Sequence, residues 1–143
     1  MKNSLRDIKK INLKKIHSDK GSVLHCLKRS ENSFIKFGEV YISSIKSKKI
    51  KAWKFHKKMF LNLIVPIGEV AFVFYDQNTK RFKQEIIGEK NYSRLYVPPK
   101  IWYGFKGISN KMSYIINVAS ISHDEKEQIN ENLKNIEFDW SKI

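Results

Sequence analysis

The stretch KAWKFHKKM (51–59) sets one lysine and one histidine two residues apart, at Lys54 and His56, among further cations and aromatics. In an extended chain, residues two apart share a face, so Lys54 and His56 point the same way. An ammonium taken out of water beside a second cation loses stability in its charged form and becomes a usable base. A histidine already titrates near neutrality. The pair therefore has the chemistry for moving a carbon-bound proton, provided its face looks into a cavity.

Periodicity alone leaves two assignments for this stretch. Ile50, Ala52, Lys54 and His56 alternate with Lys51, Trp53, Phe55 and Lys57. Either the first row lines a pocket, or Trp53 and Phe55 enter the core and the first row is solvated. The segment VPPKIWYGF (97–105) raises a similar choice. Its prolines fix the entry to a strand and remove ladder donors. Trp102 and Tyr103 then face opposite sides, and Tyr103 is either a proton carrier or an amphipathic packing residue.

The elements that must hold these residues are mostly short strands. FGEVYISSIK (37–46) alternates Val40, Ile42 and Ser44 against Tyr41, Ser43 and Ile45. Further strands are expected in 21–28, 50–58, 59–67, 68–76, 80–88, 93–99, 100–108 and 112–120, with DQNT (76–79) as a hairpin-like turn. HDEKEQINENLKNI (123–136) opens with acidic residues and repeats Ile129, Leu133 and Ile136 at helical spacing, which predicts one late helix. Many strands with a single helix point to a sandwich or barrel, of which the jelly roll is one solution. No repeat or linker divides residues 1–143, so one domain is expected.

Charge is concentrated in the first part of the chain. Residues 1–60 hold 17 Lys and Arg against four Asp and Glu, within a net charge of +14. The excess is almost entirely lysine, a pattern that compositional bias produces. Only four arginines are present, and they are scattered. Nucleic-acid readers use arginine for bidentate contacts, so a nucleic-acid partner is not expected. No apolar run is long enough to span a membrane, and the N-terminus lacks the apolar core of a signal peptide. No membrane partner is therefore expected, and a cytoplasmic location is. Cys26 is alone, which excludes a disulfide framework and a cysteine-based zinc motif. Histidines and carboxylates show no ligand spacing, and no metal is expected.

Order and spacing from about residue 18 to residue 140 resemble those of the RmlC-like cupin enzymes. These are the dTDP-4-dehydrorhamnose 3,5-epimerases and the related dTDP-4-keto-6-deoxyhexose 3,4-ketoisomerases. DKG (19–21) is similar to their D-x-R-G entry motif, one residue short. Glu39, Tyr41 and Ser43 fall at the spacing of Q-x-N-x-S. Twelve residues after Glu39, Lys51 to Lys58 align with R-G-L-H-x-Q of the epimerases and R-G-x-H-x-H-K-K of the ketoisomerases. LYVPPKIWYGF resembles their P-P-x-x-W/F-H-G-F segment, and IEFDW resembles W-D-D-P. In this alignment Lys54 takes the place of the base histidine, and His56 matches the second histidine of the ketoisomerases. Tyr103 replaces the histidine before G-F. The epimerase tyrosine falls on Ile116, with Tyr114 as the nearest phenol, and the late acidic partner of the base has no counterpart before Ile143.

The resemblance implies an all-β, cupin-type double-stranded β-helix (jelly roll) with one C-terminal helix. It implies an epimerase or ketoisomerase that takes a proton beside the ketone of a nucleotide-linked 4-keto-6-deoxysugar, for surface polysaccharide synthesis. Lys54, His56, Tyr103 and Tyr114 are the catalytic candidates. Lys20, Lys51 and Arg94 are candidates for the diphosphate, Trp53 and Tyr41 for stacking on the base, and Glu39, Ser43 and Trp102 for further substrate contacts. No cofactor is implied, and a homodimer is. The competing expectation is a cupin that binds a sugar nucleotide or glycan without turning it over; a polyanion-binding β-protein is the third.

Overall fold

The computed structural model describes residues 2–143. Twelve strands follow in order: β1 (Lys9–Asn12), β2 (Lys15–Ile16), β3 (Val23–Leu24), β4 (Glu39–Ile45), β5 (Ile50–His56), β6 (Leu61–Ile67), β7 (Glu69–Asp76), β8 (Arg81–Gly88), β9 (Ser93–Val97), β10 (Trp102–Gly107), β11 (Ser113–Ala119) and β12 (Gln128–Asn130). Two five-stranded sheets run in the orders β1-β9-β6-β11-β4 and β12-β5-β10-β7-β8, with β2 and β3 as a separate hairpin. All strand pairs of the two large sheets are antiparallel. Two facing sheets with connections that cross between them form the expected jelly roll.

The interior between the sheets is apolar. Leu61, Leu63 and Val65 of β6 alternate with Asn62 and Ile64, and the first three face Val70, Phe72 and Phe74 of β7. Gly68 makes the tight link between these two strands. Its φ is +87°, and an added Cβ would fall 2.1 Å from the Ser113 hydroxyl oxygen. Only a residue without a side chain fits there. The turn at 76–79 closes as expected, with Asp76 paired to Arg81 and its carboxylate accepting the Asn78 N–H at 2.9 Å.

Two expectations are corrected. Residues 123–136 form no α-helix: β12 pairs with β5, and Leu133–Asn135 is a single 3₁₀ turn. Glu127 and Ile136 are better satisfied against the sheet than along a helix, because each is buried there. Strand β1, unrecognised in the lysine-rich KKIN, pairs with β9 at the sheet edge. Among the described residues, no helix is long and apolar enough to cross a membrane.

The outer face of the second sheet is also covered. Trp53, Val73 and Trp102 pack with Ile136 and Trp140 of the C-terminal tail, and Phe55, Tyr75 and Phe138 join them. The tail alternates Ile136, Phe138 and Trp140 toward the sheet, and the Lys106 ammonium donates to the carbonyls of Trp140 and Ile143 at 2.9 and 3.1 Å. One side of β5 thus packs against this cluster and the other faces the interior, with Lys51 exposed.

Candidate active site

A bulge in β5 builds the site. Tyr103 of β10 pairs with Lys54, whereas Phe105, only two residues on, pairs with Lys51. Ala52 and Trp53 together therefore oppose Gly104. An added Cβ on Gly104 would lie 2.5 Å from the Ala52 Cβ, so the close approach requires glycine. The extra residue reverses the alternation. Lys51 joins Lys54 on the inner wall, while Ile50 and Ala52 pack in the outer cluster with Trp53 and Phe55. Strict alternation predicted the opposite placement for Lys51, Ile50 and Ala52.

The inner wall borders a cavity of about 380 Å³ between the sheets, within the range of small-ligand sites. Tyr41 and Ser43 of β4 and Asn117 of β11 supply its polar wall, opposite Lys51, Lys54 and Tyr103. Leu63, Phe72, Phe105 and Ile115 make its apolar floor. The Lys51 ammonium donates to the Ser44 carbonyl at 2.7 Å, bridging the two sheets. Burial, reinforced by the charge of Lys51, pushes the pKa of Lys54 below its ordinary value. Among the described residues, no carboxylate lies within ion-pair distance of Lys54.

Behind Tyr103 stands a buried relay. His56 is 3% exposed, and its Nε2 lies 3.5 Å from the Tyr103 hydroxyl, with the two rings stacked at 6.0 Å. His56 Nδ1 pairs with Glu127 Oε1. The other carboxylate oxygen, Oε2, accepts the backbone N–H groups of Lys57, Lys58 and Met59 at 3.1, 3.0 and 3.3 Å. A carboxylate held by three amides is acceptor-only. It therefore accepts a hydrogen bond from Nδ1–H and leaves Nε2 with its lone pair toward Tyr103. Burial lowers the pKa of His56, and it outweighs the opposing pull of Glu127. Burial pushes the Tyr103 phenol up.

The sequence candidates separate into two groups. Tyr41, Ser43, Lys51, Lys54 and Tyr103 meet at the cavity, Trp53 borders it at the bulge, and His56 adjoins it through Tyr103. The others lie elsewhere. Lys20 is exposed in the turn between β2 and β3. Glu39 accepts the His123 N–H at 2.8 Å, anchoring the chain that leaves β11. Arg94 is fully buried on the outer side of the first sheet. It donates to the Cys26 carbonyl and Ser33 hydroxyl at 2.9 Å each, to Asn62 Oδ1 at 2.5 Å, and pairs with Glu31. Its guanidinium pins residues 26–33 to the sheet and offers nothing to a diphosphate. Trp102 packs 5.1 Å from Phe55 and donates to Gln77. Tyr114 is 39% exposed on the outer face. The indole of Trp53 packs 5.4 Å from that of Trp140, which leaves no face for a nucleobase.

Four polar residues of the site were missed: Glu127, Asn117, and Asn130 and Glu131, which line the cavity from the segment at β12. Glu127 was masked by the helical reading of its segment. Asn117 carried a usable signal: a polar residue in the inward row of β11, between Ile115 and Ala119. Among the described residues, no three His, Cys, Asp or Glu side chains converge as a metal site would require.

Comparison with known proteins agrees with this geometry. The family described as FdtA: WxcM-like, C-terminal matches residues 6–139. No curated protein matches. A dTDP sugar isomerase from Desulfovibrio desulfuricans G20 superposes with a TM-score of 0.89 at 31% identity, covering 94% of this chain and 91% of that one. A mutant of the 3,4-ketoisomerase QdtA from Thermoanaerobacterium thermosaccharolyticum, in complex with TDP-4-keto-6-deoxyglucose, has a TM-score of 0.75 at 19% identity and covers 90% of each chain. The epimerase RmlC from Legionella pneumophila, in complex with dTDP-4-keto-L-rhamnose, has a TM-score of 0.81 at 15% identity, with 96% and 80% covered. Matched over nearly its whole length, the chain belongs to the FdtA family, WxcM-like, C-terminal, and it has the fold of the cupin sugar-nucleotide isomerases and epimerases.

Proposed function

We propose that this protein is a ketoisomerase of a nucleotide-linked 4-keto-6-deoxysugar. The observation that carries the reading is the Lys54 amine, which borders the cavity, has no carboxylate within ion-pair distance among the described residues although Glu131 lines the same cavity, and is paired across strands with Tyr103. A desolvated lysine is a base of suitable strength. It takes the proton from the carbon beside the ketone. Tyr103, connected through His56 to Glu127, passes a proton to the neighbouring carbon. Both groups sit on one wall, from adjacent strands, which suits transfer along one side of a sugar ring. The phenol nearest the epimerase position, Tyr114, faces outward.

The test is incubation with dTDP-4-keto-6-deoxyglucose and its UDP counterpart in deuterated water. We expect a 3-keto product and deuterium beside the carbonyl. Lys54→Met should lower uptake by about 10²-fold or more. Uptake unchanged in that variant removes lysine from the mechanism. A wild type that binds these compounds and exchanges nothing is a binding cupin.

The same reading places the enzyme in the cytoplasm, with its nucleotide-linked substrate, and as a homodimer. Strand β4 ends its sheet with one edge unpaired. Val40 and Ile42 stand outward from it, 52% and 66% exposed. Neither β4 nor its neighbour β11 contains a lysine or arginine, in a chain with 28. An apolar, charge-poor patch with a free edge suits a second copy. Sedimentation at micromolar concentration should give a dimer, and Ile42→Lys a monomer; a monomeric wild type refutes the assignment.

A further inference from the structure

Three residues on adjacent strands of the second sheet form one row along the cavity wall. Lys54 of β5 pairs with Tyr103 of β10 on one side and with Asn130 of β12 on the other. Residues directly opposed across strands share a face, and all three border the cavity. The row runs outward. Tyr103 is buried, Lys54 is half-buried, and Asn130 is exposed on β12, the edge strand of the sheet. The amide of Asn117, also in the cavity, is occupied at both ends: its Oδ1 accepts the Asn62 N–H at 3.1 Å and its Nδ2 donates to the Tyr41 hydroxyl at 2.9 Å. Glu131 accepts from Asn135, whereas the Asn130 side chain has no hydrogen-bond partner among the described residues.

This order fits one orientation of the sugar. The hexose is tethered through C1 to a diphosphate, whose charge keeps that end toward water. C1 therefore lies at the open end of the row, beside Asn130, and C2, C3 and C4 follow inward. Lys54, taking the proton of C3, and Tyr103, serving C4, already stand in that order. C2, between the tether and C3, falls to Asn130. We infer that Asn130 is a specificity-determining residue whose amide hydrogen-bonds the hydroxyl on C2 of the hexose, so that sugars keeping this hydroxyl are preferred to 2-deoxy ones. The inference rests on the ketoisomerase reading of the cavity. An amide offers a donor and an acceptor together, and a hydroxyl can use either. Without the hydroxyl, the amide meets only a C–H group and loses its water for no new bond. C2 keeps all its bonds during the reaction, so the contact acts by holding C3 in front of the Lys54 amine.

The experiment measures kcat/KM for formation of the 3-keto product from dTDP-4-keto-6-deoxyglucose and from its 2-deoxy analogue, dTDP-4-keto-2,6-dideoxyglucose. Wild type should favour the 2-hydroxy substrate by about tenfold or more. Asn130→Ala should lose about tenfold on that substrate and less than about twofold on the 2-deoxy one, so that the preference disappears. A residue that merely supports the strand would lower both equally. Asn130→Leu, which also lacks the amide and matches its size, gives the same readout if the alanine variant does not fold. Equal kcat/KM on the two substrates in wild type overturns the inference, as does a variant that keeps the wild-type preference or loses equally on both. Wild-type protein that turns over neither substrate refutes the ketoisomerase reading and this inference together, whereas turnover without the preference refutes only this inference.

Discussion

Lys51 and Lys54 line the same wall of the cavity although they stand three positions apart in a strand. The bulge opposite Gly104 does this, and it puts two cations on one wall of the cavity. Lys51 opposes the charged form of Lys54, adding to the effect of its burial.

Gly104 is accordingly a sensitive position. Gly104→Ala drives a methyl group against the Ala52 Cβ, which lies 2.5 Å from where it would sit. Overpacking of this kind costs about 1–3 kcal/mol, and urea denaturation will show it. Turnover should fall as well, because the bulge cannot flatten without moving Lys51.

Lys54 should cost the fold stability near neutral pH. Its folded pKa lies below 10.5, so the unfolded chain binds the proton more tightly. Stability therefore rises with pH through the window between the folded value and 10.5. Lys54→Met should raise Tm by about 2 °C at pH 7, and the gain should shrink toward pH 10. A gain that grows with pH contradicts the sign.

Glu127 orients His56 and partly offsets the effect of its burial. In Glu127→Gln the histidine loses an anionic neighbour, and its pKa drops further below 6.5. The acid limb of kcat/KM should move to lower pH. The rate should fall by about tenfold, a fraction of the 10²–10⁴-fold that a positioned proton carrier supplies. Measuring kcat/KM from pH 5 to 9 for both proteins checks it.

Arg94 is a test of negative expectation for the site. Arg94→Met removes the donors to Cys26, Ser33, Asn62 and Glu31. Loss of a buried charged hydrogen-bond partner costs about 3 kcal/mol, so Tm should drop by several degrees. Below the melting range, KM for the sugar nucleotide should stay within about twofold of wild type. A large rise in KM would return Arg94 to the binding surface.

The sequence by itself determined the strand texture, the sandwich-or-barrel class and the face shared by Lys54 and His56, while the jelly roll was implied by the family resemblance. Those follow from alternation and turn chemistry, which act between neighbours in the chain. It also carried Tyr41, Ser43 and Tyr103 into the cavity. Contacts between distant segments decided the rest. The row-flip at Ala52 and Trp53 depends on Gly104, about a third of the chain away. Glu127 is a partner of His56 only because its segment pairs with β5, although local spacing favours a helix there. Arg94, a charged residue that local pattern offers to a ligand, is consumed by residues 26–33 because the first sheet packs beneath them. Periodicity records which side of a strand a residue occupies, and nothing in it records what the opposite strand, or the chain terminus, will bring to that side.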